Sequence, residues 1–288
     1  MEVTSIAEQL LFTVVRIETN DASGNAGLGT GFIFIHNVGG VRYPFLVTNK
    51  HVVAGAVNGQ VTFIQGDGGQ PRLGAGHQLK IDDFARMWFG HPGEKIDVAI
   101  APLAPLLEHM SKGGISIFFR GIENSLVPSD ERLSKLDALE EVVFIGYPTG
   151  IWDRKNLLPV IRKGITATPV GVDFQGEKQF LIDASVFPGS SGSPVFLYNA
   201  GIHAEKGGGA VVGTRLLFLG IVASVFFHEE ANEIQIMSVP TSHVPVAVFR
   251  QMVDLGVVYK ASTILEAIDA FLRARGVLES PPDVGRPA

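Results

Sequence analysis

Phe187-Pro188-Gly189-Ser190-Ser191-Gly192-Ser193-Pro194 places a glycine-bearing, hydroxyl-rich turn between two apolar runs. Phe180-Leu181-Ile182-Asp183-Ala184 precedes it and Val195-Phe196-Leu197 follows. Short apolar runs bounded by Gly and Pro read as buried strands, so the stretch is strand, turn, strand. Glycine lets the backbone aim several N–H groups at one point. A serine in such a turn has two readings. It is the tip of a hairpin, or it is a nucleophile that attacks a carbonyl while those N–H groups hold the oxyanion. Ser190, Ser191 and Ser193 are all candidates by position.

Two other segments bear on the choice. Phe45-Leu46-Val47-Thr48-Asn49-Lys50-His51-Val52-Val53 is an apolar strand that ends in a histidine. Ile96-Asp97-Val98-Ala99-Ile100-Ala101 sets an aspartate at the start of another apolar run. An imidazole with an ordinary pKa of about 6.5 is suited to proton transfer near neutrality. A carboxylate on its second nitrogen would fix the tautomer. Asp82 and Asp83 are rivals to Asp97, but the apolar run after Asp97 fits a buried strand start better. The other histidines lie in loops or at strand ends, where solvated rings are the ordinary case. No pair of them has the spacing of metal ligands.

Together TNKHVV, DVAIAPL and PGSSGSPV resemble, in order and spacing, the three active-site blocks of trypsin-like peptidases, and most closely the bacterial HtrA/Deg-type branch. Gly146-Tyr147-Pro148-Thr149-Gly150 is similar to that branch's glycine–proline turn. The resemblance covers roughly residues 11 to 245. It implies an all-β fold of two six-stranded antiparallel barrels, chymotrypsin-like, with short helices at the N-terminus and C-terminus. It implies a serine endopeptidase that cuts polypeptides through an acyl-enzyme on Ser191, with His51 as base and Asp97 as its orienting partner. The family pattern, a serine two residues after glycine and followed by glycine, selects Ser191. The oxyanion hole is expected from the backbone N–H groups of Gly189 and Ser191, with Ser190 included as the residue shaping the turn. The substrate pocket is expected to have Ser185 at its floor and Ala223, Ser224 and Val225 along its wall. Ser185 carries no charge, so small or medium apolar side chains are expected before the scissile bond.

Two departures from the family stand out. Ser193 replaces a second glycine after Gly192, and its side chain either crowds the turn or points outward. Ser190 stands where secreted relatives carry an aspartate that pairs with a newly cut N-terminus, so activation by N-terminal insertion is not expected. Loop rearrangement is the branch's alternative. Loops 149–156 and 199–213 are the candidates, the second carrying Gly207-Gly208-Gly209 as a hinge or an unstructured crossing. A catalytically silent binding module on the same fold is the competing function, and a regulatory protein partner is a further expectation.

The chain has 288 residues, no cysteine and a net charge of −6. Its length accommodates two barrel cores. No basic stripe suggests nucleic acid as a partner. No run reaches the roughly 20 apolar residues of a membrane span, and the N-terminus lacks the pattern of a signal peptide. A cytoplasmic location, a polypeptide substrate, no cofactor, no metal and no membrane partner are the expectations.

The reading divides the chain into an N-terminal barrel over 1–120 carrying His51 and Asp97, a linker over 121–140, a C-terminal barrel over 141–240 carrying Ser191, helices over 241–276 and a tail over 277–288. Ser5-Ile6-Ala7-Glu8 reads as a capping box. Strands are expected at 233–239 and through the barrels. Helical spacing is expected at Val244–Leu255 and Ser262–Arg275. The second helix reads as a cover for the second barrel or as a partner-binding element. Too few residues remain for a PDZ domain.

Overall fold

The computed structural model describes residues 1–148, 151–229 and 250–279. The expected strand at 233–239, the start of the expected helix at Val244, part of loop 149–156 and the tail from Ser280 lie outside the described residues.

The chain opens with α1 (Ile6–Leu10), whose reciprocal capping box joins Ser5 and Glu8. Nine strands follow: β1 (Val14–Asp21), β2 (Ala26–Val38), β3 (Val41–Thr48), β4 (Ala56–Asp67), β5 (Gln70–Asp82), β6 (Phe89–Gly90), β7 (Ala99–Pro102), β8 (Ile117–Phe118) and β9 (Ile122–Glu123). Between them lie the single turn α2 (Lys50–Val53) and α3 (Ala104–Lys112). The sheet order is β5-β4-β1-β2-β3-β7-β6, with β8 on β4 and β9 on β2. β2 and β3 form a hairpin around residue 39. Val38 pairs with Val41, and Gly39 and Gly40 both take positive φ, as a two-residue hairpin turn requires.

The second half begins after α4 (Asp130–Ser134). It contains β10 (Glu141–Gly146), β11 (Val160–Thr166), β12 (Gln179–Asp183), β13 (Pro194–Asn199), β14 (Ile202–Glu205), β15 (Gly209–Val212), β16 (Arg215–Glu229), β17 (Arg250–Lys260) and α5 (Ala261–Ala274). Six of these strands close a barrel in the order β10-β11-β12-β17-β16-β13. A closed barrel leaves no unpaired strand edge.

The fold is therefore the chymotrypsin-like all-β arrangement, with three local differences from expectation. The first sheet carries nine strands, not six, because the two-residue strands β8 and β9 add to its long strands and β6 extends its edge. Residues 250–255, expected as helix, belong to β17. Val257-Val258-Tyr259 favours extended backbone, and the strand is held on both sides, by β12 and β16. The segment 199–213 is neither hinge nor open crossing but the hairpin β14–β15, which turns at Lys206-Gly207-Gly208.

Among the described residues, the three largest apolar clusters hold the two halves and the seam between them. Ile17, Ile33, Leu46, Val61 and Phe63 fill the first sheet's interior. Phe144, Phe180, Ile182, Val195 and Val222 fill the closed barrel. Between them, Phe32, Phe34, Phe45, Phe196 and Phe218 pack with Ile264, Ile268 and Leu272 of α5. Each such side chain contributes about 1.5–3 kcal/mol on burial. α5 thus seals the seam between the halves rather than covering the second barrel alone. Its Phe271 makes edge-on contacts with Phe45 and Phe89 of the first sheet.

Candidate active site

β3 and β7 run antiparallel with Thr48 opposite Ala99. Residues just past Thr48 and just before Ala99 must therefore be neighbours. His51 follows on the one turn of α2, and Asp97 lies two residues before Ala99. The carboxylate of Asp97 accepts twice from His51, from its backbone N–H at 3.0 Å and at its ring Nδ1, 2.5 Å away. Asn49 braces the same segment, donating from Nδ2 to the backbone carbonyl of Asp97 at 2.7 Å. Lys50 ties α2 to the carbonyl of Gly93 at 2.9 Å. A carboxylate on Nδ1 places the proton there and leaves Nε2 as the basic nitrogen. The His51 side chain is 51% exposed, so Nε2 is accessible. Tyr259 lies nearby and donates to the carbonyl of Lys95. Burial, then the Asp97 charge, holds its phenol above the ordinary range, so it stays neutral.

The turn that carries Ser191 is built from both halves. Ser190 donates its N–H to Phe187 O at 3.0 Å, closing a turn with Pro188 and Gly189 at its centre. Gly189 has φ 85°. A left-handed third residue after proline is the type II pattern, which glycine accommodates. From the first half, Thr30 makes three hydrogen bonds through its N–H and hydroxyl, two to this turn and one to Tyr147. Its N–H donates to Ser191 O at 2.9 Å, and its hydroxyl donates to Gly189 O at 3.0 Å and accepts the N–H of Tyr147 at 2.9 Å. The Thr30 carbonyl in turn accepts from the Thr48 hydroxyl at 2.7 Å. Gly192 passes so close that a Cβ there would lie 1.8 Å from Thr30 O and 2.7 Å from Thr48 Oγ1, and its φ is 88°. No other residue fits. Ser191 and Gly192 thus sit against Thr48, three residues before His51.

Among the described residues the N–H groups of Gly189 and Ser191 have no hydrogen-bond partner. The Ser190 N–H between them is taken up within the turn, where it donates to Phe187 O. The Ser191 hydroxyl donates to the carbonyl of Ala223 at 3.3 Å and makes no hydrogen bond to His51. Ser193 does not point outward. It is fully buried, and Gly146 makes room for it: a Cβ at 146 would meet Ser193 Oγ at 2.1 Å. Ser190 is also fully buried, and its hydroxyl lacks a partner among the described residues.

Of the expected pocket residues, Ala223 is buried and touches Ser191 through its carbonyl. Ser224 is exposed, and Val225 is half-buried against the barrel core. Val225 pairs with Gly256, and a Cβ at Gly256 would lie 2.8 Å from Val186. The segments on either side of Ser191 are therefore adjacent, separated by a residue without a side chain. Ser185 is exposed, but its carbonyl accepts from Arg162 Nη1 at 3.2 Å. Thr30, Thr48, Asn49 and Arg162 escape sequence reading. Their roles depend on partners 18 to 159 residues away. A cavity of about 290 Å³ opens beside His51, bounded by Leu28, Val52 and Ala54.

A closed β-barrel packed on a second β-sheet, with histidine and aspartate from one and serine from the other, defines the chymotrypsin-like class. The chain belongs to the trypsin-like peptidase family. The family model for the trypsin-like peptidase domain matches residues 29–201, a span that holds His51, Asp97 and Ser191. No curated protein matches the chain. Among solved structures, the active form of the Rv3671c protease from M. tuberculosis is 17% identical with a TM-score of 0.44, over 96% of this chain and 86% of that one. HL collagenase is 14% identical with a TM-score of 0.46, over 94% of this chain and 96% of that one. The scabies mite inactivated protease paralogue S-I1 is 14% identical with a TM-score of 0.47, over 95% of this chain and 99% of that one. Among the described residues no helix is long and apolar enough to cross a membrane.

Proposed function

We propose that the protein is a serine endopeptidase that hydrolyses polypeptides through an acyl-enzyme on Ser191. The observation that carries this is the pair of N–H groups, Gly189 and Ser191, that have no hydrogen-bond partner among the described residues and flank the Ser191 hydroxyl in a turn clamped from the half that holds His51 and Asp97. The Ser191 proton passes to His51 Nε2 as Oγ attacks the peptide carbonyl carbon. The carbonyl oxygen becomes an oxyanion held by the two N–H groups. Asp97 stabilises the imidazolium, which then gives its proton to the departing amine. Water, activated by the same imidazole, releases the acid product and restores Ser191. Losing one oxyanion donor costs about 3–4 kcal/mol of transition-state stabilisation in such sites.

The hydrogen bond from Ser191 to Ala223 O favours a second element of the reading, a resting state. The hydroxyl turns from that carbonyl to His51 when substrate, a loop or a regulatory partner engages. The kinship to the HtrA/Deg-type branch, the bacterial source and the cytoplasmic setting belong to this proposal and rest on the motifs. A fluorophosphonate probe tests it. Labelling of the isolated chain, abolished in Ser191→Ala, supports the hydrolase. Labelling seen only in lysate supports a gated enzyme. A folded chain that is labelled in neither setting is the silent binding module, and the proposal fails.

A further inference from the structure

Asp97 is aimed by a loop, and that loop is held from the other half of the molecule. His51 takes both oxygens of the Asp97 carboxylate, and among the described residues no other group donates to them. The direction of the carboxylate therefore follows the backbone of residues 91–97. The first half ties that backbone near its ends. His91 donates its N–H to Val98 O at 2.8 Å, Lys50 donates to Gly93 O at 2.9 Å, and Asn49 donates to Asp97 O at 2.7 Å. The middle of the loop, at Lys95, is held from the second half, where the Tyr259 hydroxyl donates to Lys95 O at 2.6 Å. Two side-chain pairs also cross the seam. Lys95 Nζ lies 3.0 Å from Glu177, but the lysine is 83% exposed, and an exposed pair of flexible side chains holds little. His91 Nε2 faces Glu266 at 3.4 Å, long for a hydrogen bond.

Tyr259 differs from both pairs. Its ring packs against the apolar seam between the halves, on a strand paired along both edges. It stands opposite Ile221, and Ile221 stands opposite Pro194. Pro194, Ile221 and Tyr259 thus form one row across three neighbouring strands, each about 4.8 Å from the next. The row begins three residues after Ser191 and ends at the hydroxyl that holds the Asp97 loop. Burial and then the Asp97 charge raise the phenol's pKa, while the Asp97 backbone N–H works the other way, which places that N–H beside the phenol oxygen. The hydroxyl therefore stays a donor at any pH below its ordinary value of about 10. We propose that Tyr259 is a positioning residue for the chemistry of Ser191: its hydroxyl fastens the Asp97 loop to the barrel that carries the serine, so the Asp97–His51 pair keeps its aim across the seam. This rests on the hydrolase reading above. Thr30 fastens the Ser191 turn to the first half, and Tyr259 fastens the Asp97 loop to the second. The two ties together set the gap over which Ser191 hands its proton to His51.

Tyr259→Phe keeps the ring and removes the bond. The maximal rate of fluorophosphonate labelling at saturating probe should fall about 3- to 10-fold, the range of one neutral hydrogen bond, with the half-saturating probe concentration unchanged. In an Asp97→Asn background the same substitution should cost less than about twofold, because the pair it serves is already broken. Equal losses in the two backgrounds mean a general structural role and overturn the proposal, as does a wild-type rate in Tyr259→Phe. Proton NMR of the folded chain gives a readout that needs no reaction. The His51 Nδ1 proton, assigned by its loss in His51→Gln, should lie far downfield in its short bond to Asp97 and should move upfield or broaden in Tyr259→Phe. An unmoved signal overturns the proposal. Glu177→Gln removes the exposed pair on the same loop and should leave both readouts at wild type; a loss equal to that of Tyr259→Phe assigns the hold to the Lys95 side chain instead and overturns the proposal. A signal that moves in a chain the probe never labels keeps the tie and sinks the hydrolase. Labelling at the wild-type rate with an unmoved signal sinks the tie and leaves the hydrolase.

Discussion

Replacing Thr30 by valine keeps the side chain's shape and removes its hydroxyl. Thr30 is fully buried, so no water replaces the two lost bonds. Gly189 O loses its donor and the N–H of Tyr147 loses its acceptor. A buried polar group left unpaired costs about 1–3 kcal/mol. Two of them give a loss of about 2–6 kcal/mol, a large share of the roughly 5–15 kcal/mol that stabilises a typical domain. The cost falls on the peptide unit next to the Gly189 N–H, so that N–H loses its fixed direction. Urea denaturation measures the first effect, and the rate of fluorophosphonate labelling at Ser191 the second. Thr30→Ser is the control, because it retains the hydroxyl. If Thr30→Val unfolds at the wild-type urea concentration and labels at the wild-type rate, the clamp has no energetic role and the account of the turn is wrong.

Asp97→Asn should lower kcat/KM by about four orders of magnitude while the fold survives, since the amide cannot hold the required His51 tautomer; loss of less than tenfold would remove Asp97 from the reaction. Burial lowers the pKa of His36, against the pull of Asp269, and burial likewise lowers that of His91, against Glu266. Both rings resist protonation in the folded chain but not in the unfolded one. Their stabilisation is therefore complete above pH of about 6.5 and declines as pH falls below it. Thermal melts from pH 8 to 5 should show Tm dropping below pH 6.5, with a shallower drop in a His36→Gln, His91→Gln double variant; identical slopes would refute this. Arg215→Ala should cost about 3–5 kcal/mol by stranding buried Glu140, whereas Lys163→Ala at the exposed pair with Glu141 should cost under about 1 kcal/mol. Chemical denaturation distinguishes them, and equal losses would contradict the burial argument.

Much of the fold is legible in the chain because its signals are local. The turn at Gly39-Gly40, the capping box at Ser5 and the apolar runs at 41–48 and 179–184 each carry their own evidence within a few residues. The neighbourhood of His51 and Asp97 is nearly as readable, since one strand pairing, β3 with β7, brings them together. Thr30 is silent in sequence because its partners lie at 189, 191 and 147. Arg162 reads as one more exposed charge on an alternating strand until β10 sets Phe144 beneath it. β17 fails for a related reason. Arg250–Lys260 has no strong alternation, and its state is decided by the two strands it joins rather than by its own propensities.

The grip of Thr30 on Gly189 and Ser191 has an engineering corollary. Without cysteines, no covalent cross-link joins the two halves. If the polypeptide were severed near Pro128 and its pieces expressed apart, the fragment with the serine would lack the tether that shapes its reactive loop. Chemical competence would return only on reassembly, so the molecule is a natural starting point for a split-protein complementation sensor.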